Sequence, residues 1–342
     1  MPADHLTRPG IQATPVVQTE RAVLDVLAGT PLLDAAARVH LAPSVLDDAV
    51  DRYRCAGRQA LREHAGPTDW WQVLIEFTDW HTAEATAARH LHPLLADVAA
   101  GGEGWWFIRK HPCWRIRLRA DSTVKTAVGA ALDRLVADGH LRGWRTSRYE
   151  PETAAFGGPT AMEVAHQLFG ADSRRILDLA DRGEVPLGRR ELSVLLCTAL
   201  LRGARLEWYE QGDVWDRVCQ ERPLPTEPAG RLDQTATALR TLLLADTDIK
   251  GPLFGAAGPL VFATDWACAF HQAGDALGTA ALAGVLGRGL RHVLSYHVIF
   301  HWNRLGLPTP VQAVLAHAAR TAVLDPPTLT ASTSCPVSPS RP

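Results

Sequence analysis

At 342 residues the chain exceeds one typical domain, so a main domain of ordinary to large size with a smaller appendage is expected. With 46% hydrophobic residues and a formal charge of −2 it has the balance of a folded protein and lacks the basic surplus that captures nucleic acid. Six cysteines (Cys55, Cys113, Cys197, Cys219, Cys268, Cys335) form no CxxC pair and no Cys/His cluster at zinc spacing, which argues against a disulfide framework and a structural metal.

Residues 1–19 lack apolar periodicity and are expected to be mobile; Asp4, Pro9 and Gly10 stand where a secretory signal would be basic and then apolar, so a cytoplasmic location is expected. Val23 to Leu27, Leu32 to Val39 and Val45 to Ala60 read as three short helices with a helix-turn-helix-like outline. The would-be recognition helix carries Asp47, Asp48 and Asp51, which would face phosphates. Residues 20–66 are therefore expected to be a small helical accessory that packs on the main domain or docks a protein or peptide.

From Trp70 the period changes to two, with Trp71, Val73, Ile75 and Phe77 alternating with Gln72, Leu74 and Glu76, and a strand is expected. A helix over 83–98 follows, then strands Trp105 to Arg109 and Trp114 to Arg119 joined as a hairpin, and a fourth strand from Gly143 to Tyr149. Beyond Gly157-Gly158-Pro159 the chain reads as helices near 160–169, 173–182, 189–203, 207–220, 232–245, 262–284, 287–305 and 309–323. Strands first and helices after predict an α+β fold, an antiparallel or mixed sheet covered by helices. The apolar stretch Leu286 to Leu305 holds Arg288, Arg291, His292, His297, His301 and Arg304, too many polar groups for a membrane span. The tail 324–342, rich in Pro, Ser and Thr, is expected to be disordered.

Alternation across the third strand sends Trp114, Ile116 and Leu118 to one face and Arg115, Arg117 and Arg119 to the other. Guanidinium forks bind carboxylates bidentately, so such a row suits a peptide terminus, an acidic side chain or a glutamyl group; the alternative is the solvated outer face of an edge strand. Downstream, Tyr149 and Glu152 precede Gly157-Gly158 in a strand-to-helix turn, where Glu152 is a candidate to orient an arginine or to act as acid or base. His297, His301 and Arg304 fall at i, i+4 and i+7 on one helical face, with no third ligand of evident spacing to make a metal site. Eleven tryptophans are expected mainly as core fillers, with some lining a peptide groove.

Trp-Phe-Ile-Arg, a short loop, an Arg-x-Arg strand and Tyr-x-x-Glu with a closing Gly-Gly resemble the thiopeptide-type bacteriocin biosynthesis domain, the C-terminal elimination domain of class I lanthipeptide dehydratases. Met162 to His166, Phe169 to Asp172-Ser173 and Asn303-Arg304-Leu305 extend the resemblance, which is expected to span residues 67–323 as one domain. In that family a serine or threonine of a precursor peptide is glutamylated and this domain expels glutamate, leaving a dehydroamino acid. The resemblance implies catalytic roles for Arg115, Arg117 and Glu152, with His301 as a shifted histidine, and substrate-binding roles for Arg109, Arg119, Tyr149, Asn303 and Arg304. The chain departs from the family pattern at Cys113, Ala155, Phe156 and Ile299, where the family has histidine, arginine, tyrosine and histidine.

The resemblance thus implies a protein that needs no cofactor and acts on a precursor peptide, alongside a separate glutamylating dehydratase subunit. A homodimer is one expected assembly, and neither nucleic acid nor membrane is an expected partner. Glutamate elimination leads; a formal [4+2] cycloaddition that builds a pyridine ring and a non-catalytic peptide-binding role remain as alternatives.

Overall fold

Ala22, Val23, Ala35, Ala36, Leu46 and Val50, buried together, form the core of three N-terminal helices: α1 (Pro15–Leu27), α2 (Leu32–Arg38) and α3 (Pro43–His64). The computed structural model describes residues 15–64, 70–99, 104–224 and 229–325, and divides the chain between Pro67 and Thr68 into two compact units. Helix α1 begins eight residues ahead of the expected Val23. The expected mobile start before Pro15 and the expected disordered tail beyond Asp325 lie outside the described residues.

The second unit opens with β1 (Trp70–Phe77), then α4 (Ala83–Thr86), a π-helical turn (Ala87–Leu91) and α5 (His92–Ala99). Strands β2 (Trp105–Lys110) and β3 (Cys113–Arg119), helix α6 (Ser122–Ala137) and β4 (Leu141–Ser147) complete one four-stranded sheet. Its order is β2-β3-β1-β4 and every pairing is antiparallel. The arginine-bearing strand β3 is therefore interior, so the alternative reading of its arginine row as the outer face of an edge strand does not hold.

Seven α-helices follow among the described residues: α7 (Pro159–Ala180), α8 (Arg189–Gly203), α9 (Trp208–Glu221), α10 (Ala229–Leu244), α11 (Thr264–Leu282), α12 (Leu290–Leu305) and α13 (Thr309–Leu324). The α+β architecture is the one the element order predicts. Val73, Ile75, Ile116 and Leu118 share one core with Leu91, Leu95, Val128 and Leu132, so the helices from α4 to α6 cover one sheet face. On the β2 side α7 closes the sheet, where Phe107 N–H donates to Ser173 Oγ at 3.1 Å.

Three boundaries correct the sequence reading. Helix α6 was not foreseen, although Asp121 caps it by accepting from Val124 N–H at 2.8 Å. Strand β4 ends at Ser147, leaving Tyr149 beyond it in the turn. Helix α7 runs unbroken where two helices were expected, because Gly170 lies against β2: a Cβ there would sit 3.2 Å from the Trp105 carbonyl oxygen. Among the described residues no helix is long and apolar enough to cross a membrane.

Candidate functional site

Cross-strand register gathers the site on the sheet face away from α4–α6. Arg115, Arg117 and Arg119 pair with Leu74, Gln72 and Trp70 of β1, and β2 sets Trp106 beside Arg117 and Ile108 beside Arg115. Arg117 is 3% exposed. Its guanidinium carbon lies 4.1 Å from the Trp106 ring centre and 4.5 Å from that of Tyr149, and Nε donates to Gln72 Oε1 at 2.8 Å. Gln72 is held in turn by donating to the Arg148 carbonyl at 3.0 Å. Arg117 Nη1 is buried with no partner among the described residues. Burial lowers the Arg117 pKa to about 10 against the pull of Tyr149 and Glu152, so it remains a cation at neutral pH.

Beneath Arg117 runs a polar chain. The Tyr149 hydroxyl lies 2.8 Å from His166 Nε2, His166 Nδ1 is 3.8 Å from Glu163, and Glu163 accepts from Arg119 Nη2 at 2.6 Å. His166, and then Arg119, draw the Glu163 carboxyl down to about 2. An ionised Glu163 favours the proton on Nδ1, which leaves Nε2 to accept from Tyr149. Burial raises the Tyr149 pKa, keeping its hydroxyl neutral. Glu152 stands exposed at the rim, close enough for its charge to act on both Arg117 and Tyr149. Arg115 is half-buried and makes no hydrogen bond or ion pair with another described residue.

A second cluster lies inside the helical layer. Asp172 of α7 accepts from His301 Nδ1 at 2.9 Å, from Arg304 Nε at 2.7 Å and from Trp266 Nε1 at 2.9 Å, tying α7 to α12 and α11. Burial would raise the Asp172 carboxyl, but His301 and Arg304 outweigh it and hold it below its ordinary value. Arg304 lies 4.2 Å over the Phe169 ring, and Phe169 in turn is 4.8 Å from Trp106. Both Nη atoms of Arg304 and Nε2 of His301 are buried without partners among the described residues.

Two expected substrate-binding residues stand elsewhere. Arg109 is on the other face, over Trp114; it shares Glu84 with Arg189 and donates from Nε to the Arg304 carbonyl at 2.7 Å. Asn303 accepts from Gln312 Nε2 at 3.0 Å, and with Arg109 it lines a separate cleft of 710 Å³ beside Trp80 and His111.

The family model for lantibiotic biosynthesis dehydratase, C-terminal, matches residues 70–323. The chain belongs to this family. The solved tRNA-dependent lantibiotic dehydratase MibB from Microbispora sp. 107891 is similar over 76% of this chain and 28% of that one, with TM-score 0.58 and 19% identity. TsrL is similar over 74% of this chain and 94% of that one (TM-score 0.53, 17% identity). The pyridine synthase TbtD from thiomuracin biosynthesis is similar over 75% and 98% (TM-score 0.54, 14% identity). At these identities the likeness is one of fold, and no curated protein sequence matches the chain.

Within the family scaffold, the structure brings Arg115, Arg117, Arg119, Tyr149 and Glu152 together and sets His301 and Arg304 apart, both fully buried and bonded to Asp172. The departures have structural correlates. Phe156 is completely buried among Phe169, Phe300 and His297, and Ile299 is a core residue. Gly157 (φ +88°) and Gly158 (φ +109°) hold the turn into α7; a Cβ on Gly157 would meet Val293 Cγ2 at 2.9 Å. Sequence reading missed Gln72, Trp106 and Glu163–His166 as site residues. The period-two pattern carried the signal for Gln72, a lone amide among apolar strand residues; His166 is brought to Tyr149 only by tertiary packing. Among the described residues no group of three or more His, Cys, Asp or Glu could hold a metal ion.

Proposed function

We propose that this protein matures a ribosomally made precursor peptide by eliminating glutamate from glutamylated serine or threonine, using the arginine face of its sheet. The observation that carries this reading is Arg117: a buried cation clamped between Trp106 and Tyr149, with one Nη unpartnered among the described residues. A guanidinium so preorganised suits an oxyanion that develops only during reaction, because its charge is already desolvated and needs no reorientation. Glu152 at the rim takes the Cα proton, Arg117 stabilises the enolate, the Cβ–O bond breaks, and glutamate leaves as a carboxylate held by Arg115. His301, with no exposed surface, supports the interior instead of acting as base. A separate glutamylating subunit supplies the substrate.

A second reading, a pyridine-forming cycloaddition between two dehydroalanines, is favoured by Ala155 and Ile299, which remove a cation and a histidine that elimination uses in the family pattern. TbtD, a pyridine synthase, is similar over 98% of its length. In a reconstituted reaction with glutamylated peptide, Arg117→Ala is expected to cut the rate by at least about 10²-fold. Arg117→Lys is expected to rescue little, since an ammonium cannot stack as a planar fork. Unchanged product formation with weaker complex assembly would reject catalysis and assign a binding role.

A further inference from the structure

Strand β4 adds a fourth arginine to the open face. The register pairs Arg115 of β3 with Leu74 of β1, and Leu74 in turn with Arg145 of β4, so Arg115 and Arg145 share one face across Leu74. Strands two places apart are separated by about 10 Å. Ser147, opposite Gln72, continues the same face beside Arg117. Arg145 and Ser147 are exposed and Leu74 is half-buried, while the helix packed on β4 is α6, which lies on the other face and accepts the Trp144 indole N–H through Asp133 at 2.9 Å.

Charge on this face is unbalanced. Arg119 is neutralised by Glu163, Arg142 by Glu76 at 3.2 Å, and Arg148 by Glu150 at 3.6 Å. Arg115, Arg117 and Arg145 make no ion pair with a described residue, and Glu152 is a nearby carboxylate whose charge reaches Arg117. An exposed arginine is ordinarily solvated and contributes little by itself. Here it stands in register with half-buried Arg115, one pair along from the buried, preorganised Arg117, over an apolar floor of Leu74 and half-buried Trp70, a geometry that fits an extended chain carrying carboxylates about 10 Å apart.

We infer that the β1–β4 half of the open sheet face docks an acidic stretch of the precursor peptide, with Arg145 reading a carboxylate remote from the one held at Arg115. This rests on the peptide-maturation reading, but binding tests it independently of turnover. The probe is a fluorescein-labelled ten-residue peptide with four glutamates, compared with its all-glutamine counterpart, titrated against the full chain at two salt concentrations. The glutamate peptide is expected to bind more tightly, with affinity falling as salt rises. Arg145→Glu is expected to weaken it roughly ten-fold or more and Arg145→Lys to retain most of it. Arg134→Glu, an equal charge change on α6, is expected to leave it unaltered. Equal binding of the two peptides, or equal loss in Arg145→Glu and Arg134→Glu, overturns the docking surface. Elimination assayed in parallel reports separately on the peptide-maturation reading, because Arg145 is placed outside the reacting groups.

Discussion

The His297 imidazole sits 5.0 Å from the Phe156 ring and 5.8 Å from the Phe169 ring, and neither nitrogen has a partner among the described residues. Burial, then the Arg304 charge, lowers its pKa to about 3. The unfolded chain takes up this proton near pH 6.5, so the stability held by the neutral ring is complete above that pH. It is lost at about 1.4 kcal/mol per pH unit as pH falls from 6.5 towards 3. Replacing His297 by leucine should flatten that slope and remove two unsatisfied buried nitrogens; urea unfolding at pH 7 and pH 5 measures both, and an unchanged slope contradicts the assignment. Residue-scale reading of the sequence identified the arginine row but not which arginine is clamped. Period two places all three on one face, whereas burial of Arg117 depends on Trp106, Gln72 and Tyr149 arriving from three other segments.

Helix α7 joins the two clusters, presenting Glu163 and His166 to the arginine face and Asp172 to the interior. Removing the Asp172 charge strands Arg304, which is fully buried, without its ion-pair partner. Asp172→Asn is therefore expected to destabilise the protein by about 3–5 kcal/mol in chemical denaturation, and a loss below about 1 kcal/mol would contradict the role given to this pair. The sequence made the α+β order, the β2–β3 hairpin and the face alternation of β3 legible because alternation and hairpin spacing are local properties. It misplaced the middle of α7 because Gly170-Ala171-Asp172-Ser173 has the composition of a break. Tertiary contacts override it: Gly170 lies against Trp105, Asp172 reaches α12, and Ser173 caps a strand amide. The same limit applies to Arg109 and Asn303, whose motif positions are near the site in sequence but whose side chains serve another cleft.

Within the second unit, a helical layer fixes one edge of a four-stranded sheet while half of one sheet face stays uncovered by that unit's own described helices. That division suits a protein whose substrate is an extended peptide: the rigid half holds Arg117 cationic and dry, and the open half leaves room for chain on either side of the reacting residue. The central claim is that the arginine face performs elimination on such a peptide. Mass spectrometry of a glutamylated precursor peptide incubated with the full chain tests it most directly. Loss of the glutamyl adduct with a dehydroamino acid left behind, abolished by Arg117→Ala, is the expected result. Retention of the adduct under conditions where an authentic eliminase removes it, with a bis-dehydroalanine peptide cyclised instead, would contradict it.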